Sequence, residues 1–560
     1  MGSPPGGSIL TTSAPRSASS WAAYGAGRQI PRSRTRTPSR RLTASNTTVT
    51  AVSVESCGIT LHAKETPDKA ALVLGDDVRT YAELDDRSNR LAHLLDGLGA
   101  GDDRAVAVVL PNCLEFFDVA TAAAKLQAPF LPVNWHLKAE ELGYVLADSE
   151  ASVVVTAPSL LPTVEAARTQ APRCRTLVTG PGYEAAVAGS TDDNGDDGSD
   201  VARLESGAAP SFVFYTSGTT ARPKGVIHGR FTGEVARMSQ NGQVALWSWT
   251  PDDVYVMAGP SYHAAHGGWA STALYVGATT VILQSWDARE WLRLVERHHA
   301  TRSFLVPAHF IRILEVPDEE RAGFDISSLR LIVHAAAPCP VAVKHRVMEA
   351  LAPAEIHELY GASEGGATRI SPEEWLTHPG SVGRPWPGVE VRIIGDDGAP
   401  LPAGEQGLIY VTPMGTWKFH YHNDPDKTSS AWRDDAFTVG DIGYLDDDGY
   451  LYITDRASDM VLWGGINIAP REVEEVLHTH PAVVDCAVFG VPDARDGERL
   501  KAVVEGRPGL QVDELAGHVR ARLADYKVPR EWELVDELPR DPSGKVLKRL
   551  LRDAARREPG

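Results

Sequence analysis

The stretch FVFYTSGTTARPKGVIHGR, residues 212–230, holds an apolar run from Phe212 to Tyr215 that opens into hydroxyls, glycines and one lysine before turning apolar again. The run reads as a buried strand. Glycine lets a backbone curl around an anion, so that successive amides form a concave nest of donors. Thr216, Ser217, Thr219 and Thr220 add hydroxyls around Gly218, and Lys224 adds a point charge suited to phosphate. The Walker spacing G-x-x-x-x-G-K-[ST] cannot be drawn through it, so the loop alone leaves a phosphate cradle and a solvated turn both open.

Outward from this loop the chain alternates two textures. YAELDDRSNRLAHLLDGLGA places Leu84, Leu91, Leu94 and Leu95 at helical spacing, and RAVAVVLPN follows as a short, nearly all-apolar strand of the kind buried on both faces of a parallel sheet. ARTQAPRCRTLVTG and WLRLVERHHATRSFLVPA repeat the pairing, which predicts an α/β architecture. GSTDDNGDDGSD, residues 189–200, is a polar surface loop just upstream of the opening stretch. From Pro385 the texture changes to short strands, GVEVRII and QGLIYV, around an Asp/Gly turn. Past Asp455 comes a compact unit of helices PREVEEVLHTH and VDELAGHVRARLAD among strands AVVDCAVFG and LKAVVEG.

At 560 residues and 43% hydrophobic side chains, the chain has length and material for two or more cores. A net charge of −19 speaks against non-specific nucleic-acid binding. Five scattered cysteines without a C-x-x-C pair argue against a disulfide framework or a thiolate metal site and fit a reducing cytoplasm. No apolar run approaches the roughly eighteen residues of a membrane span. Residues 1–50 carry seven arginines and no acid among Ser, Thr, Pro, Gly and Ala, and read as a disordered extension that also has the composition of a transit peptide.

Further stretches settle the first question. PSYHAAHGG (260–268), HELYGASEGG (357–366), SVGRPWPGVEVRI (381–393), VGDIGYLDDDGYLYITDR (439–456), SDMVLWGGINIAPREVEEVL (458–477) and PRDPSGKVLKRLLR (539–552) follow YTSGTTARPKG in order. Together they resemble the signatures of the adenylate-forming superfamily, which contains acyl- and aryl-CoA ligases, luciferases and peptide-synthetase adenylation domains. The resemblance runs from about residue 55 to 552. It implies a large N-terminal domain over 51–454, built of α/β subdomains plus a small distorted β-barrel. A hinge over 455–460 and a smaller, mobile α+β C-terminal domain over 461–560 follow.

The same resemblance implies roles for single residues. Thr216, Ser217, Gly218, Thr219, Thr220 and Lys224 would hold the β- and γ-phosphates of ATP. Tyr360 would lie against adenine with Ile453 nearby, while Ala336, Ala337, Glu358, Gly361 and Ser363 would border the nucleotide. Asp441 would bind the ribose hydroxyls, and Arg456 would sit by the ribose and α-phosphate. Glu364, with Thr216, would hold Mg²⁺, and Lys545 would reach the carboxylate and the α-phosphate from the small domain. His263, Gly268, Ala335, Ala362 and Gly365 would shape the acyl pocket. Ser458 would be the hinge, and Gly464 and Gly465 would let a pantetheine arm approach. The implied reaction is activation of a carboxylic acid as acyl-AMP and its transfer to CoA, with loading of an acyl carrier protein, or arrest at the adenylate, as the alternative. A homodimer stays open.

Ala221, Ser363 and Ser458 depart from the commonest letters of that pattern without removing a charge the first step needs. PSYHAAHGG has no acid to meet an amino acid's ammonium, and the walls 334–337, 361–362, 365–367 and 267–268 are mostly small. Small, uncharged walls predict room for a medium, long or bulky cyclic apolar acid.

Overall fold

In the computed structural model the described residues are 58–101, 104–193, 210–216, 223–228, 233–415, 418–493 and 495–557. The reading of residues 1–50 and the loop positions Ser217, Gly218, Thr219, Thr220 and Ala221 lie outside them. Residues 51–560 group as one compact unit.

The all-apolar runs become central parallel strands. Val106–Val109 and Val153–Thr156 are buried along their whole length. With Arg175–Val178, Pro129–Pro132 and Ser211–Phe212 they form a five-stranded, wholly parallel sheet. Helix Tyr81–Gly97 covers one flank, started by a capping box in which Thr80 and Glu83 bond each other's backbone amides. Its Leu84, Leu91 and Leu95 are buried, but Leu94 is half-exposed, one position off the core-facing stripe.

A second sheet has nine described strands. Its interior, from Glu355–Ala362 through Leu331–His334, Arg302–Leu305, Val254–Met257 and Thr279–Ile282 to Ala70–Leu74, is parallel, and antiparallel strands finish both edges. A six-stranded antiparallel sheet follows, containing Glu390–Ile394, Gly407–Thr412, Asp441–Leu445 and Leu451–Arg456. The C-terminal part carries its own five-stranded sheet, built on the long hairpin Val483–Asp493 and Gly497–Gly506, with helices Pro470–His478, Val512–Arg520 and Lys548–Arg557. The architecture is a mixed α/β fold with a large N-terminal and a small C-terminal domain. Among the described residues no helix is long and apolar enough to cross a membrane.

The opening stretch departs from expectation. It is not one buried strand: Ser211–Phe212 belongs to the parallel sheet, and Phe214–Thr216 leaves it to pair with Lys224–Ile227 in a separate three-stranded sheet. Val213 is buried between them while its neighbours are half-buried. The switch of sheets takes Phe214–Thr216 out of the parallel sheet and into a hairpin with Lys224–Ile227.

Gly383 shows how closely two sheets meet. Its φ is +95°, and a Cβ there would lie 1.9 Å from the Arg369 carbonyl oxygen. It bridges to Leu451 of the antiparallel sheet while the next residues pair with Thr368 and Arg369. Gly383→Ala is expected to destabilise the fold by about 2 kcal/mol or more, because backbone cannot yield as a flexible side chain can. Gly464→Ala, with nothing within 4 Å of its Cβ position, should cost only about 1 kcal/mol. Urea denaturation midpoints of the two variants check this order.

Candidate active site

The hairpin that carries the glycine-rich loop closes on the Thr216–Lys224 pair, so these residues stand at either side of the loop's base. A third strand, His420–Tyr421, pairs with Val226 and Ile227 and places the Tyr421 ring under the Lys224 ammonium, 4.9 Å from its centroid. The Tyr421 hydroxyl donates to Glu364 Oε1 at 2.8 Å. Ser363 and Glu364 form the two-residue turn between strands Glu355–Ala362 and Gly365–Ile370, and His228 Nε2 lies 2.6 Å from the Ser363 carbonyl. Two distant parts of the sequence are thereby bound into one rim. Burial, and then the neighbouring Lys427, bring the Lys224 pKa down to about 8, against the pull of Glu364 and Asp424.

Beside this rim stands a second group of charges. Asp441 and Arg456 are cross-strand partners in the antiparallel sheet, and Arg456 Nε lies 3.2 Å from Asp441 Oδ1. The Tyr360 hydroxyl donates to Asp441 Oδ2 at 2.8 Å. Burial, then Asp441, keeps that phenol protonated far above its ordinary range. Tyr360 and Ile453 pack on the same apolar cluster.

Lys545 arrives from the C-terminal domain on a stiff turn. The Asp541 carboxylate accepts from the Ser543 amide at 2.9 Å, the Ser543 hydroxyl at 2.5 Å and the Lys545 amide at 3.0 Å, while Gly544 takes a φ of +87°. Gly544 rests on the large domain, where a Cβ would meet Ala308 Cβ at 3.1 Å and Val306 Cγ2 at 3.3 Å. The Lys545 side chain is exposed yet crowded by protein, and its pKa is lowered by lost hydration and by Arg456, with Asp541, Asp441 and Asp459 opposing. His263 faces the same turn. Its ring accepts the Ala265 amide at 3.4 Å and caps helix Ala264–Val276, and burial holds it neutral, with Asp541 opposing and Lys545 adding to the effect.

Glu364, Tyr360, Asp441, Arg456, Lys545 and His263 are thus brought into two adjoining charge groups, with Thr216 and Lys224 at the loop's base. Glu358 stands apart: its carboxylate is buried and takes Lys344 Nζ at 2.6 Å, with His334 at 3.5 Å. Ala336, at the end of strand Leu331–His334, takes a left-handed φ of +74° between Ala335 and Ala337. Ser458 lies in an exposed turn. Gly464 and Gly465 form the two-residue turn of hairpin Val461–Ile468 with positive φ at both positions, and the Gly464 amide binds the Asp496 carbonyl.

The small walls need a correction. A Cβ on Gly366 would fall 2.1 Å from the Trp386 ring, one on Gly365 3.1 Å from Phe437, one on Gly361 2.9 Å from the Gly366 Cα and one on Gly267 2.1 Å from the Ser261 carbonyl oxygen. These residues are small because neighbours crowd them, so their size is no measure of pocket volume. Gly268, by contrast, has nothing within 4 Å. Tyr421, His228, Lys427 and Asp541 escaped the sequence reading. The turn-forming PRDPSGK could have pointed to Asp541, but Tyr421 and Lys427 lie in FHYHNDPDKTSS, which carries no phosphate-binding signature by itself.

The order of these elements matches a known pattern over most of the chain. Residues 59–418 match the AMP-binding enzyme family and residues 472–545 its C-terminal domain. The chain belongs to the AMP-binding enzyme family. It is 35% identical over 499 residues to a feruloyl-CoA synthase of an Amycolatopsis species, covering 88% of this chain and 97% of that one. It is 31% identical over 500 residues to the fatty acid–[acyl-carrier-protein] ligase ScoC of Streptomyces coeruleorubidus, with 88% and 94% covered. The crystal structure of ATP-bound MatB from Rhodopseudomonas palustris superposes with a TM-score of 0.77 at 30% identity, over 89% of this chain and 99% of that one. The chain therefore groups with the acyl-CoA ligases of the family.

Lys344→Met tests the reading of Glu358 as an interior partner. It strands a buried carboxylate and is expected to destabilise by about 3–5 kcal/mol. Adding Glu358→Gln should restore much of the loss, as thermal unfolding of the single and double variants will show.

Proposed function

We propose that this chain is an ATP-dependent ligase that activates an apolar carboxylic acid as its acyl-adenylate and transfers the acyl group to CoA, releasing pyrophosphate and AMP. The observation that carries this reading is the seating of Lys545 against the Asp441–Arg456 pair and His263, from a turn fixed on both domains.

In the first half-reaction a carboxylate oxygen attacks the α-phosphorus of ATP as the bond to pyrophosphate breaks, which forces two anions together. Preorganised positive charge lowers that barrier. Lys545 is a crowded cation beside Arg456, and an anion relieves that crowding. Lys224, with Lys427 beside it, receives the departing polyphosphate on the other side. Asp441, held by Tyr360 and Arg456, offers acceptor oxygens to a ribose. The neutral His263 adds no competing charge to the approach of the acid. Glu364, a hard carboxylate with Tyr421 on one oxygen, together with the Thr216 hydroxyl at the loop's base, fits Mg²⁺, which takes few protein ligands; bound there, the ion would neutralise phosphate charge. In the second half-reaction the thiol sulfur attacks the acyl carbon and AMP leaves. For that step residues 51–454 and 461–560 act as two bodies jointed at 455–460, with Ser458 as pivot and the Gly464–Gly465 turn replacing Lys545.

The absence of an acid in residues 260–268 supports an apolar substrate. The likeness to ScoC supports a second reading in which a carrier protein takes the acyl group instead of CoA. No membrane segment is needed for either, and the cytoplasm is the proposed place of action.

Acetate, palmitate and ferulate, each with ATP, Mg²⁺ and CoA, should separate these readings when acyl-AMP and acyl-CoA are followed by mass. Acyl-CoA from palmitate or ferulate is expected, with adenylation reduced ~10²–10³-fold by Lys545→Ala. Acyl-AMP without thioester favours the carrier, and no adenylate from any acid overturns the proposal. Tyr360→Phe removes one hydrogen bond to Asp441 and is expected to raise KM for ATP about fivefold, read from initial rates.

A further inference from the structure

Helix Pro307–Glu315 presents Ala308 and Arg312 one turn apart, hence on one face. Both touch the C-terminal domain. Ala308 carries Gly544, the residue before Lys545. Arg312 Nη1 lies 2.7 Å from Glu505 Oε1, on strand Gly497–Gly506. Glu505 is 4% exposed, unusual burial for a carboxylate, and its other oxygen accepts the Leu538 amide at 3.2 Å and Arg540 Nη2 at 3.4 Å. Arg540 then closes the circuit. Its Nη2 binds Asp485 Oδ2 at 2.5 Å and its Nη1 donates to the Gly544 carbonyl at 3.2 Å. From one helix face the contacts run through Arg312, Glu505, Arg540 and Gly544 back to Ala308.

We propose that Arg312 is a positioning residue for Lys545: its bond to Glu505 is the catch that holds the C-terminal domain in the adenylating arrangement, and its opening frees the domain for thioester formation. The domains also meet where Glu475 Oε2 accepts the Val341 amide at 3.1 Å, but at the Lys545 turn itself a single contact at Gly544 would leave the turn free to pivot on Ala308. The second contact, at Arg312, removes that freedom, and Arg540 transmits it because one guanidinium binds both Glu505 and the turn. Glu315 holds the same Arg312 nitrogen at 2.7 Å from within the helix, and Glu537 stands 3.7 Å from the other, so the guanidinium is oriented toward the small domain. The catch is placed where it can open. Arg312 is 26% exposed in its side chain, and Glu505 keeps Arg540 and the Leu538 amide when the domains part. This inference rests on the ligase reading above.

The test uses full-length protein carrying Arg312→Ala, Arg312→Lys or Glu505→Gln. Adenylation is followed by ATP–pyrophosphate exchange with ferulate and palmitate, and transfer by supplying synthetic feruloyl-AMP and palmitoyl-AMP with CoA. Arg312→Ala should lower the exchange kcat about tenfold, the value of one charge-assisted hydrogen bond, with little change in KM for the acid and no loss in transfer. Arg312→Lys should recover part of the loss and Glu505→Gln should share it. Hydrogen exchange without any substrate gives an independent reading: the amides of 540–547 should exchange several-fold faster in Arg312→Ala, with 483–493 unchanged. An equal fall in both half-reactions, unaltered exchange kinetics, or unaltered protection of 540–547 overturns the catch. Failure of the unsubstituted protein to adenylate bears on the ligase reading instead, while the hydrogen-exchange comparison still decides the catch.

Discussion

A buried carboxylate needs a partner, and Asp441 has two. At 6% exposure it is anchored by the Tyr360 hydroxyl on one oxygen and Arg456 on the other. Tyr360 comes from strand Glu355–Ala362 of the nine-stranded sheet, Asp441 and Arg456 from the antiparallel sheet, and Arg456 is the last residue before the turn that leads to the C-terminal domain. One residue thus locks together the two sheets and the root of the small domain. The rest of the site inherits its geometry from that lock: Glu364 sits in the turn that follows Tyr360, and the Lys545 turn reaches back toward Arg456.

Much of this was legible because the chemistry sits in compact motifs. Asp441 and Arg456 lie fifteen residues apart in one quoted stretch, and a hairpin register converts that spacing into a cross-strand pair. The alternation of helix and strand was legible for the same reason, since buried parallel strands such as Val153–Thr156 show as unbroken apolar runs. What failed depended on tertiary approach. Phe212 to Tyr215 looks like one strand, but the chain changes sheets at Val213. Gly267, Gly361, Gly365 and Gly366 look like the walls of a roomy pocket, but Ser261, Trp386 and Phe437 press on them. A sequence shows that a residue is small and leaves unstated what stands next to it. Tyr421 was invisible because its role comes from a two-residue strand folding back on Val226, 195 positions earlier in the chain.

The same limit explains the catch. Arg312, Glu505 and Arg540 fall in three separate segments, and none carries a motif. The Ala308–Arg312 spacing acquires meaning when both the Gly544 turn and strand Gly497–Gly506 are seen to rest on one helix.

The charges of the site share a logic that the net charge of −19 conceals. Lys224 stands beside Lys427, and Lys545 beside Arg456; lost hydration first, and then these neighbouring cations, lower the pKa of both lysines. Neighbouring like charges with little water between them destabilise a resting protein. They become favourable once a polyanion spans both pairs, because the attraction replaces the repulsion and little reorganisation is then required during reaction. An ATP-using site gains most where charge develops during the displacement, between the α-phosphate and the leaving pyrophosphate. Under the proposed reaction, two cation pairs, one on the rim of the large domain and one shared with the C-terminal domain, would hold the polyphosphate from both ends. That arrangement makes the seating of Lys545 the controllable element, which is why a second contact on the helix beneath it carries mechanistic weight beyond that of a surface ion pair.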